Sequence, residues 1–295
     1  MNYIASPLNY IGGKYKLLPQ ILPLFPNKIN TFVDLFCGGC NVGINVCANK
    51  IIFNDNLIFL IDLYKEFQKN TIEEIINYIE NRIKEFELDN VNEEGFLKLR
   101  KEYNTNRKPL DLFVLISFSF NHQIRFNNNH QFNTSFAKEH YFNSNMKKNL
   151  IDFIKVLHKR DITFVSNNFV DFDFSILNEG DFVYTDPPYL ISVGTYNDGK
   201  RGFTGWNEEY EKDLLKILKE LSERNIYFGL SNVISHKGQE NTILKNWIEE
   251  NNFNINYLDK NYSNCNYQLK DRSKNSTKEV FVTNYVSEFK EIKLF

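Results

Sequence analysis

The sequence contains few of the residues that mark specialised protein classes. Only four of its 295 residues are cysteine, too few for a disulfide scaffold in a chain of this length, so a reducing compartment is expected. Its longest apolar run, around residues 113–120, is far too short to cross a bilayer. The N-terminus has no apolar segment followed by a cleavage site. These absences predict a soluble protein of the cytoplasm with no membrane partner.

An excess of positive charge is also missing. Lysine and arginine together number 35, and aspartate and glutamate 37, which gives a net charge of −2. A uniformly basic protein is thereby excluded, and any contact with nucleic acid requires a local cluster of positive charge. The apolar fraction of 42% is ordinary for a globular protein, so the chain can bury a sizeable core in one large domain or two modest ones.

Cys37 and Cys40 form a C-x-x-C pair, a spacing that occurs in zinc sites and redox sites. The pair lies in a glycine-rich turn, and the sequence places no second pair of ligands near it. We therefore interpret both residues as small buried thiols. No cluster of metal-ligating residues is recognised in the sequence, and no metal is expected.

The first elements indicate one half of a nucleotide-binding sheet. Residues 31–36 are apolar and predict a strand, a turn of small residues follows, and Val42 to Asn49 predict the start of a helix. A second strand is predicted at residues 51–53 and ends in Asn54-Asp55-Asn56. This strand–turn–helix–strand unit is typical of a doubly wound sheet.

A long helical segment separates this unit from the later strands. Thr71 to Glu74 form a capping box before a periodic apolar run, and further helices are predicted at 93–103 and after Pro109. Strands are predicted at 162–165, 182–185, 226–230 and 280–284, and helices at 208–223 and 239–250. We therefore predict an α/β core, residues 1–56 and 160–295, interrupted by a helical insert, residues 57–159.

The tetrapeptide Asp186-Pro187-Pro188-Tyr189 follows a predicted buried strand. The carboxylate and a nearby carbonyl can accept hydrogen bonds from an exocyclic amine, and the prolines fix φ without offering an N–H of their own. The tyrosine ring can stack on a flat heterocycle. The pattern favours a site that holds a planar amine. A strand end followed by a proline turn, with Asp186 capping the next element, is the alternative.

Two glycine elements precede the helical insert. The Gly38-Gly39 turn lets the backbone approach a ligand closely, and Asp55 ends the next strand, where dinucleotide folds place the acid that binds ribose hydroxyls. A plain turn with a solvated aspartate is the alternative. Gly12-Gly13-Lys14 is not a phosphate-binding P-loop, because the required spacing is missing. It is either a flexible arm or a glycine pair that fixes a lysine near an anionic group.

In this order, these motifs resemble the Dam-type (alpha class, D12) DNA adenine-N6 methyltransferases. The segment from Ile124 to Asn127, with Phe132 to Thr134, is similar to the target-recognition hairpin of that family, and residues 279–285 are similar to its closing strand. The resemblance implies a Rossmann-like S-adenosylmethionine-dependent methyltransferase core with a helical target-recognition insert that binds DNA. Cys40 replaces a glycine of the family pattern, and His130-Gln131 replace a glycine and an acid next to the hairpin.

The resemblance also implies roles for individual residues. Asp186, Pro187, Pro188 and Tyr189 would be catalytic. The cofactor-binding residues would be Tyr10, Gly12, Gly13, Lys14, Asp34, Phe36, Gly38, Gly39, Asp55 and Asp186. The DNA-binding residues would be Arg125, Asn127, Asn133, Tyr196, Lys200 and Arg201, the last three in a glycine-containing loop that an ordinary surface loop would also explain.

The expected function is transfer of a methyl group to N6 of a flipped-out adenine in a specific double-stranded DNA sequence, with GATC favoured. The partners would be double-stranded DNA and, in a restriction–modification setting, a cognate restriction endonuclease, and the protein would be a monomer. A cytosine-N4 enzyme, which more often has serine at position 186, stays open. So does an RNA or protein amide methyltransferase, which more often has asparagine there.

Overall fold

The computed structural model describes residues 3–10, 12–191, 205–258 and 277–287, and these residues are built around a mixed β-sheet. In chain order, its strands are β1 (Thr31–Asp34), β2 (Lys50–Asn54), β3 (Asp161–Val165), β4 (Phe182–Thr185), β5 (Tyr227–His236), β6 (Gln239–Glu240), β7 (Asn254–Leu258) and β8 (Lys278–Thr283). The order across the sheet is β3-β2-β1-β4-β5-β8-β7, and β6 pairs with β5. The first five strands are parallel, and β8 runs antiparallel between β5 and β7.

Helices cover both faces of this sheet. They are α1 (Leu18–Ile21), α2 (Ile58–Lys69), α3 (Ile72–Glu85), α4 (Glu93–Asn106), α5 (Pro109–Phe118), α6 (Ser144–Leu157), α7 (Glu208–Glu223) and α8 (Thr242–Glu250). The capping box predicted for α3 is present, because Thr71 accepts from the Glu74 N–H and the Glu74 side chain accepts from the Thr71 N–H. The Rossmann-like α/β architecture expected from the sequence is therefore confirmed.

Alternation along the strands divides the core into two layers. Phe32, Phe53 and Tyr184 point to one face and pack with the N-terminal segment and the helices α2 to α6. Val33 and Val183 point to the other face and pack with α7 and α8. Successive strand residues face opposite sides of the sheet, and both sides are buried. These parallel strands are therefore continuous apolar runs in the sequence, which is why they could be predicted.

Two of the expected helices differ from the structure: the one at 42–49, and the start of the one at 239–250, where Gln239–Glu240 pair with β5 as β6 and α8 begins at Thr242. The helix expected from Val42 to Asn49 is wrong, because the chain makes only a single 3₁₀ turn, Gly43–Asn45, and Val46 is already extended. Phe53 occupies the space beside Gly43, where an added Cβ would lie 2.3 Å from its ring. This close packing, together with capture of the Asn45 side chain by the Ile4 backbone, holds the short connection in place of a helix.

The strand β7 was not expected from the sequence. Its residues alternate between polar and apolar side chains, with Asn254 and Asn256 on the strand, in a polar stretch after a helix. The strand lies at the edge of the sheet and pairs only with β8 among the described strands. β5 is also longer than predicted and extends to His236.

The helical insert and the sheet share one apolar cluster. The Tyr64 ring of α2 stacks on Phe164 of β3 with centroids 5.3 Å apart, and it lies 5.7 Å from Phe153 of α6. Phe67 of α2 then contacts Phe113 of α5. The insert therefore packs directly on the core, and the division of the chain into two domains at residues 57 and 159 stays a prediction.

Candidate active site

A pocket opens beyond the carboxyl ends of β1 and β4. The strand order reverses here, because β2 and β3 lie on one side of β1 and the later strands on the other, and ligands of doubly wound sheets bind at this point. The pocket is lined by nine of the predicted cofactor-binding residues: Tyr10, Gly12, Gly13, Lys14, Asp34, Phe36, Gly38, Gly39 and Asp186. Residues from the N-terminal segment, the turn after β1 and the end of β4 thus meet in one place.

The turn after β1 packs against the Tyr10 ring at a distance that only glycine permits. Gly38 has a φ of +43°, and a Cβ added there would lie 2.9 Å from that ring. The Gly38 carbonyl accepts a hydrogen bond of 2.7 Å from the Tyr64 hydroxyl, which ties the turn to α2. The turn is therefore held from both sides, by the Tyr10 ring and by the Tyr64 hydroxyl. The expected small buried thiols are confirmed here, since Cys37 and Cys40 are free and buried.

The N-terminal segment is fastened to this turn by two asparagines. Asn41 Oδ1 accepts from the Ser6 N–H at 3.0 Å, and Asn45 Oδ1 accepts from the Ile4 N–H at 2.7 Å. The Asn45 amide also donates to the Ile4 carbonyl. These long-range bonds hold the chain that leads to Tyr10, so the alternative of a flexible arm is wrong for the residues that the structure describes.

Lys14 and Asp186 form a buried ion pair. Lys14 Nζ lies 2.6 Å from Asp186 Oδ2 and donates a second hydrogen bond of 3.0 Å to the Gly12 carbonyl. The lysine side chain is 3% exposed and the aspartate side chain 18% exposed. The expectation that the glycine pair fixes a lysine near an anionic group is confirmed, and the anionic group is Asp186. Burial raises the pKa of Asp186 above its ordinary value, and the adjacent Lys14 ammonium opposes that shift.

Asp34, at the end of β1, brings a second buried carboxyl to the pocket. Its Oδ2 accepts from the Gly43 N–H at 3.2 Å. Its Oδ1 is buried and has no hydrogen-bond partner among the described residues. Burial raises the pKa of Asp34 to about 8, and the Gly43 hydrogen bond opposes the shift. A cation bound beside this oxygen would favour the ionised form of the carboxyl.

Asp55 is the one predicted cofactor residue that does not line this pocket. It is buried, with Oδ2 accepting from the Gly38 N–H at 3.0 Å and Oδ1 accepting from the Leu57 N–H at 2.9 Å. The carboxylate therefore joins the end of β2 to the glycine turn. Because each carboxylate oxygen can accept more than one hydrogen bond, these contacts are compatible with a ribose ligand. The ribose role stays a prediction.

The remaining members of the tetrapeptide follow β4 at the rim of the pocket. Pro187 is buried and Pro188 is exposed. The Tyr189 hydroxyl lies 3.1 Å from Asp186 Oδ1, and Lys14 Nζ lies 5.1 Å from the centroid of the tyrosine ring. Burial raises the pKa of the Tyr189 phenol well above its ordinary value, so it remains a proton donor at neutral pH. Stacking of this ring on a base stays a prediction.

Glu279 is a residue of this cluster that the sequence did not indicate. It lies on β8, is 2% exposed, and accepts a hydrogen bond of 3.0 Å from the Tyr189 hydroxyl. Its Oε1 is 3.6 Å from Lys14 Nζ. The sequence did carry one signal for Glu279, since this acid lies between Lys278 and Val280 in a predicted strand of mostly apolar residues. An acid buried in such a strand rarely lacks a partner.

Three of the predicted DNA-binding residues, Arg125, Asn127 and Asn133, lie on a small hairpin between α5 and α6. The Asn133 N–H donates to the Arg125 carbonyl at 3.0 Å, and the Asn127 N–H donates to the Gln131 carbonyl at 2.9 Å. Side chains alternate, so Arg125 is half-buried and Asn133 exposed, while the intervening Phe126 is buried. The Asn127 side chain also bonds within the turn, since its Oδ1 accepts from the Gln131 N–H at 3.0 Å.

The hairpin is held against the neighbouring helices α4 and α2 of the insert. Asn104 Oδ1 accepts from the Phe132 N–H at 2.8 Å, and Asn104 Nδ2 donates to the Phe132 carbonyl at 3.0 Å. Phe126 stacks on Phe59 of α2 with centroids 4.5 Å apart. These contacts fix the apolar side of the hairpin and leave Arg125 on its polar side.

The match with a known family fits this arrangement. Residues 10–264 match the D12 class N6 adenine-specific DNA methyltransferase family. The chain belongs to this family. The matched region includes the pocket, the tetrapeptide and the hairpin, and the family named from the sequence motifs is thereby confirmed.

Several curated methyltransferases are similar to the chain over most of its length. It is 50% identical to the type II methyltransferase M.FokI of Planomicrobium okeanokoites, over 97% of this chain and 44% of the relative. It is 52% identical to the modification methylase StsI of Streptococcus sanguinis, over 96% of this chain and 43% of the relative. The chain thus spans less than half the length of these two proteins. The type II methyltransferase M1.LlaDCHI of Lactococcus lactis subsp. cremoris is 29% identical, over 78% and 82% respectively.

Some residues that the D12 resemblance singled out cannot be placed. Tyr196, Lys200 and Arg201 lie outside the described residues, and their role in DNA binding stays a prediction.

Across the described ranges, no helix is both long enough and apolar enough to cross a membrane.

Proposed function

We propose that this chain transfers the methyl group of S-adenosylmethionine to N6 of adenine in double-stranded DNA. The observation that carries the proposal is the Asp186 carboxylate, which directly follows β4 at the rim of the β1–β4 pocket and is held there by Lys14. The family match supports the same chemistry. Cytosine-N4 and RNA or protein amide methylation, the alternatives from the sequence, are the competing outcomes of the test.

The residues around the pocket fit a sulfonium cofactor. S-adenosylmethionine supplies an electrophilic methyl group on a positively charged sulfur, together with a cationic amine. The buried Asp34 Oδ1, without a partner among the residues described, offers an acceptor for such a cation. The Gly38–Gly39 turn and the Tyr10 ring packed on it line the pocket beside this carboxyl. Lys14 would keep Asp186 ionised, and Asp55 would accept from ribose hydroxyls at the end of β2.

Asp186 would orient the attacking amine. Adenine N6 is a poor nucleophile because its lone pair is delocalised into the ring. The Asp186 carboxylate and the Pro187 carbonyl would accept its two N–H groups, so that the lone pair points toward the methyl group. The positive charge that develops on nitrogen would then meet a fixed negative charge, which stabilises the transition state. Holding the reacting atoms in line would supply the rest of the rate acceleration.

Adenine in a duplex is out of reach of this pocket, so the base must flip out. We propose that the hairpin from Arg125 to Asn133 contacts the DNA around the flipped base, with Arg125 on the side of the hairpin away from α2. The alternation of buried phenylalanines with polar residues supports this assignment. Asn127 would act partly through the shape of the turn, since its oxygen is already bonded there.

Restriction–modification is the proposed biological setting. The names of the two relatives with about 50% identity describe a type II methyltransferase and a modification methylase. A cognate endonuclease would be the partner, and the protein would act as a monomer in the cytoplasm. The target sequence GATC stays a prediction.

Expression in a bacterial host free of DNA methylation tests the proposed function. Nucleoside mass analysis of the host DNA should detect N6-methyladenine, and modification-sensitive sequencing should place it at one sequence. N4-methylcytosine would favour the alternative reaction. Unmodified DNA, with modified RNA or protein, would contradict the choice of substrate.

Asp55→Ala should weaken binding of S-adenosylmethionine by about 1.5–3 kcal/mol, the range for a hydrogen bond to a charged group. Titration calorimetry with the purified variant measures this. DNA binding without cofactor should change little, and thermal unfolding monitors the loss of the bonds to Gly38 and Leu57. Unaltered cofactor affinity would remove Asp55 from the site.

Arg125→Ala should relax methylation at one base position more than it lowers total activity. An arginine that reads guanine with both arms contributes about 1–3 kcal/mol against a wrong base, whereas a phosphate contact weakens binding evenly. Sequencing of methylated random DNA measures the preference at each position. Lys28→Ala is the matched control, because it removes an exposed positive charge just before β1, at the end of that strand opposite to the pocket. A uniform loss with a shallower salt dependence would show that Arg125 only positions the DNA.

A further inference from the structure

Glu279 shares both partners of Asp186. The Tyr189 hydroxyl lies 3.0 Å from Glu279 Oε1 and 3.1 Å from Asp186 Oδ1. Lys14 Nζ lies 2.6 Å from Asp186 Oδ2 and 3.6 Å from Glu279 Oε1. The two carboxylates therefore flank one ammonium and one phenol. Since the phenol has a single proton, it donates fully to only one carboxylate at a time.

The position of Glu279 is fixed by the sheet. β8 pairs antiparallel with β5, and Glu279 lies opposite Val233 of β5 and Leu258 of β7. The side chain is 2% exposed, so water screens it poorly from Asp186. A carboxylate buried this deeply is costly unless it is paired, and Tyr189 supplies a hydrogen bond while Lys14 supplies an ionic contact at 3.6 Å.

Resting on the proposed function, we infer that Glu279 is a positioning residue for methyl transfer. Glu279 accepts from the Tyr189 hydroxyl, so that this proton is not held by Asp186 alone, while the Lys14 ammonium stays bonded to Asp186 at 2.6 Å. Asp186 then retains the capacity to accept hydrogen bonds from the amine. Without Glu279, the Tyr189 hydroxyl would donate to Asp186 and compete with the substrate amine.

Several ionisable groups face Asp186 from the surrounding elements. They are Lys14 from the N-terminal segment, Asp34 from β1, Tyr184 from β4, Tyr189 from the loop after β4 and Glu279 from β8. Among the acids that the structure describes, Glu279 is the one that shares the Tyr189 hydroxyl and the Lys14 ammonium with Asp186. Removal of its negative charge should favour the ionised form of Asp186 and so lower the pKa of that carboxyl.

The test compares Glu279→Gln with the wild-type protein by two measurements. Carbon-13 NMR of protein with labelled aspartate, without cofactor or DNA, should show the pKa of Asp186 falling in the variant, with the signal assigned from Asp186→Asn. Single-turnover methylation of a DNA duplex should be slower by about tenfold, with the acidic limb of the pH profile moved to lower pH. DNA affinity should change little.

Glu211→Gln is the matched control. Glu211 on α7 is also a fully buried carboxylate, but it accepts from Trp206, Asn232 and Asn241 on the other face of the sheet. Its loss should lower the unfolding temperature and leave the pKa of Asp186 and the pH profile in place. Tyr189→Phe combined with Glu279→Gln should give a rate loss smaller than the product of the single losses, since the two act through one contact.

Two outcomes overturn the inference. The first is an unchanged pKa of Asp186 and an unchanged rate in Glu279→Gln. The second is a slower rate with an unchanged pKa, in a variant that loses stability as Glu211→Gln does, which would make Glu279 merely structural. Folded wild-type protein that leaves adenine unmethylated would instead contradict the proposed function, and the NMR measurement would still decide the contacts of Glu279.

Discussion

Asp186→Ala should lower the rate of methyl transfer by about 10²–10³-fold, the usual effect of removing one preorganised group that stabilises a transition state. The substitution removes the acceptor that orients the amine and leaves the Lys14 ammonium buried without its nearest counter-charge. Rapid-quench measurement of methyl transfer to DNA, under single-turnover conditions, isolates the chemical step. A variant that keeps more than roughly a tenth of the wild-type rate would limit Asp186 to less than about 1.4 kcal/mol and contradict the mechanism.

Asp181→Asn provides the control on the same strand segment. Asp181 is buried just before β4, at the end opposite to Asp186, and accepts from the Thr31 N–H at 2.8 Å and the Asn178 N–H at 2.9 Å. Its substitution should lower thermal stability and leave the rate constant of the folded enzyme close to that of the wild type. A comparable loss of rate in both variants would mean that distortion of β4, and not the lost carboxylate, explains the effect.

Asp111→Ala should destabilise the protein by about 3 kcal/mol, the lower end of the cost of breaking a buried ion pair. Asp111 is fully buried on α5 and accepts from Arg82 Nε at 2.8 Å and from the Tyr78 hydroxyl at 2.9 Å, both on α3. The lower end applies because Arg82 keeps its bond to Glu102 of α4. Urea unfolding measures the change in the free energy of unfolding.

Glu85→Ala is the matched control for this network. Glu85 also binds Arg82, at 2.7 Å, but its side chain is 58% exposed. Solvent screens such a pair, so its loss should change the free energy of unfolding by less than about 1 kcal/mol. Equal losses in the two variants would show that burial does not set the strength of this cluster.

DNA recognition should also be weaker in Asp111→Ala. Arg82 links Asp111 to Glu102 of α4, and α4 carries Asn104, which binds the hairpin at Phe132.

The parts of the structure that depend on residues close together in the chain could be predicted from the sequence. The strands β1 to β4 follow from apolar runs, the start of α3 from its capping box, and most of the pocket from glycines next to charged or aromatic residues. The failures involve distant contacts. The expected helix at 42–49 gives way to a turn because Asn45 binds Ile4 and Phe53 fills the space at Gly43.

The site shows the same limit. The sequence indicated that Lys14 needed an anionic neighbour, yet nothing local could name Asp186, which is 172 positions away. Glu279 was missed for the same reason, because its partners lie in the N-terminal segment and after β4. Only the order of strands, with β4 and β5 between β1 and β8, brings these side chains together.

The wide spacing of these contacts has a consequence for folding. Bonds that join residues 172 positions apart close a very long loop, and such contacts form slowly compared with those inside a helical segment. The clamp between Asn104 and Phe132 spans only 28 positions. The surface proposed to meet DNA should therefore be in place early, whereas the methyl-transfer site is completed only when β8 joins the sheet. During synthesis, the hairpin proposed to bind DNA would therefore fold before the proposed methyl-transfer site is complete.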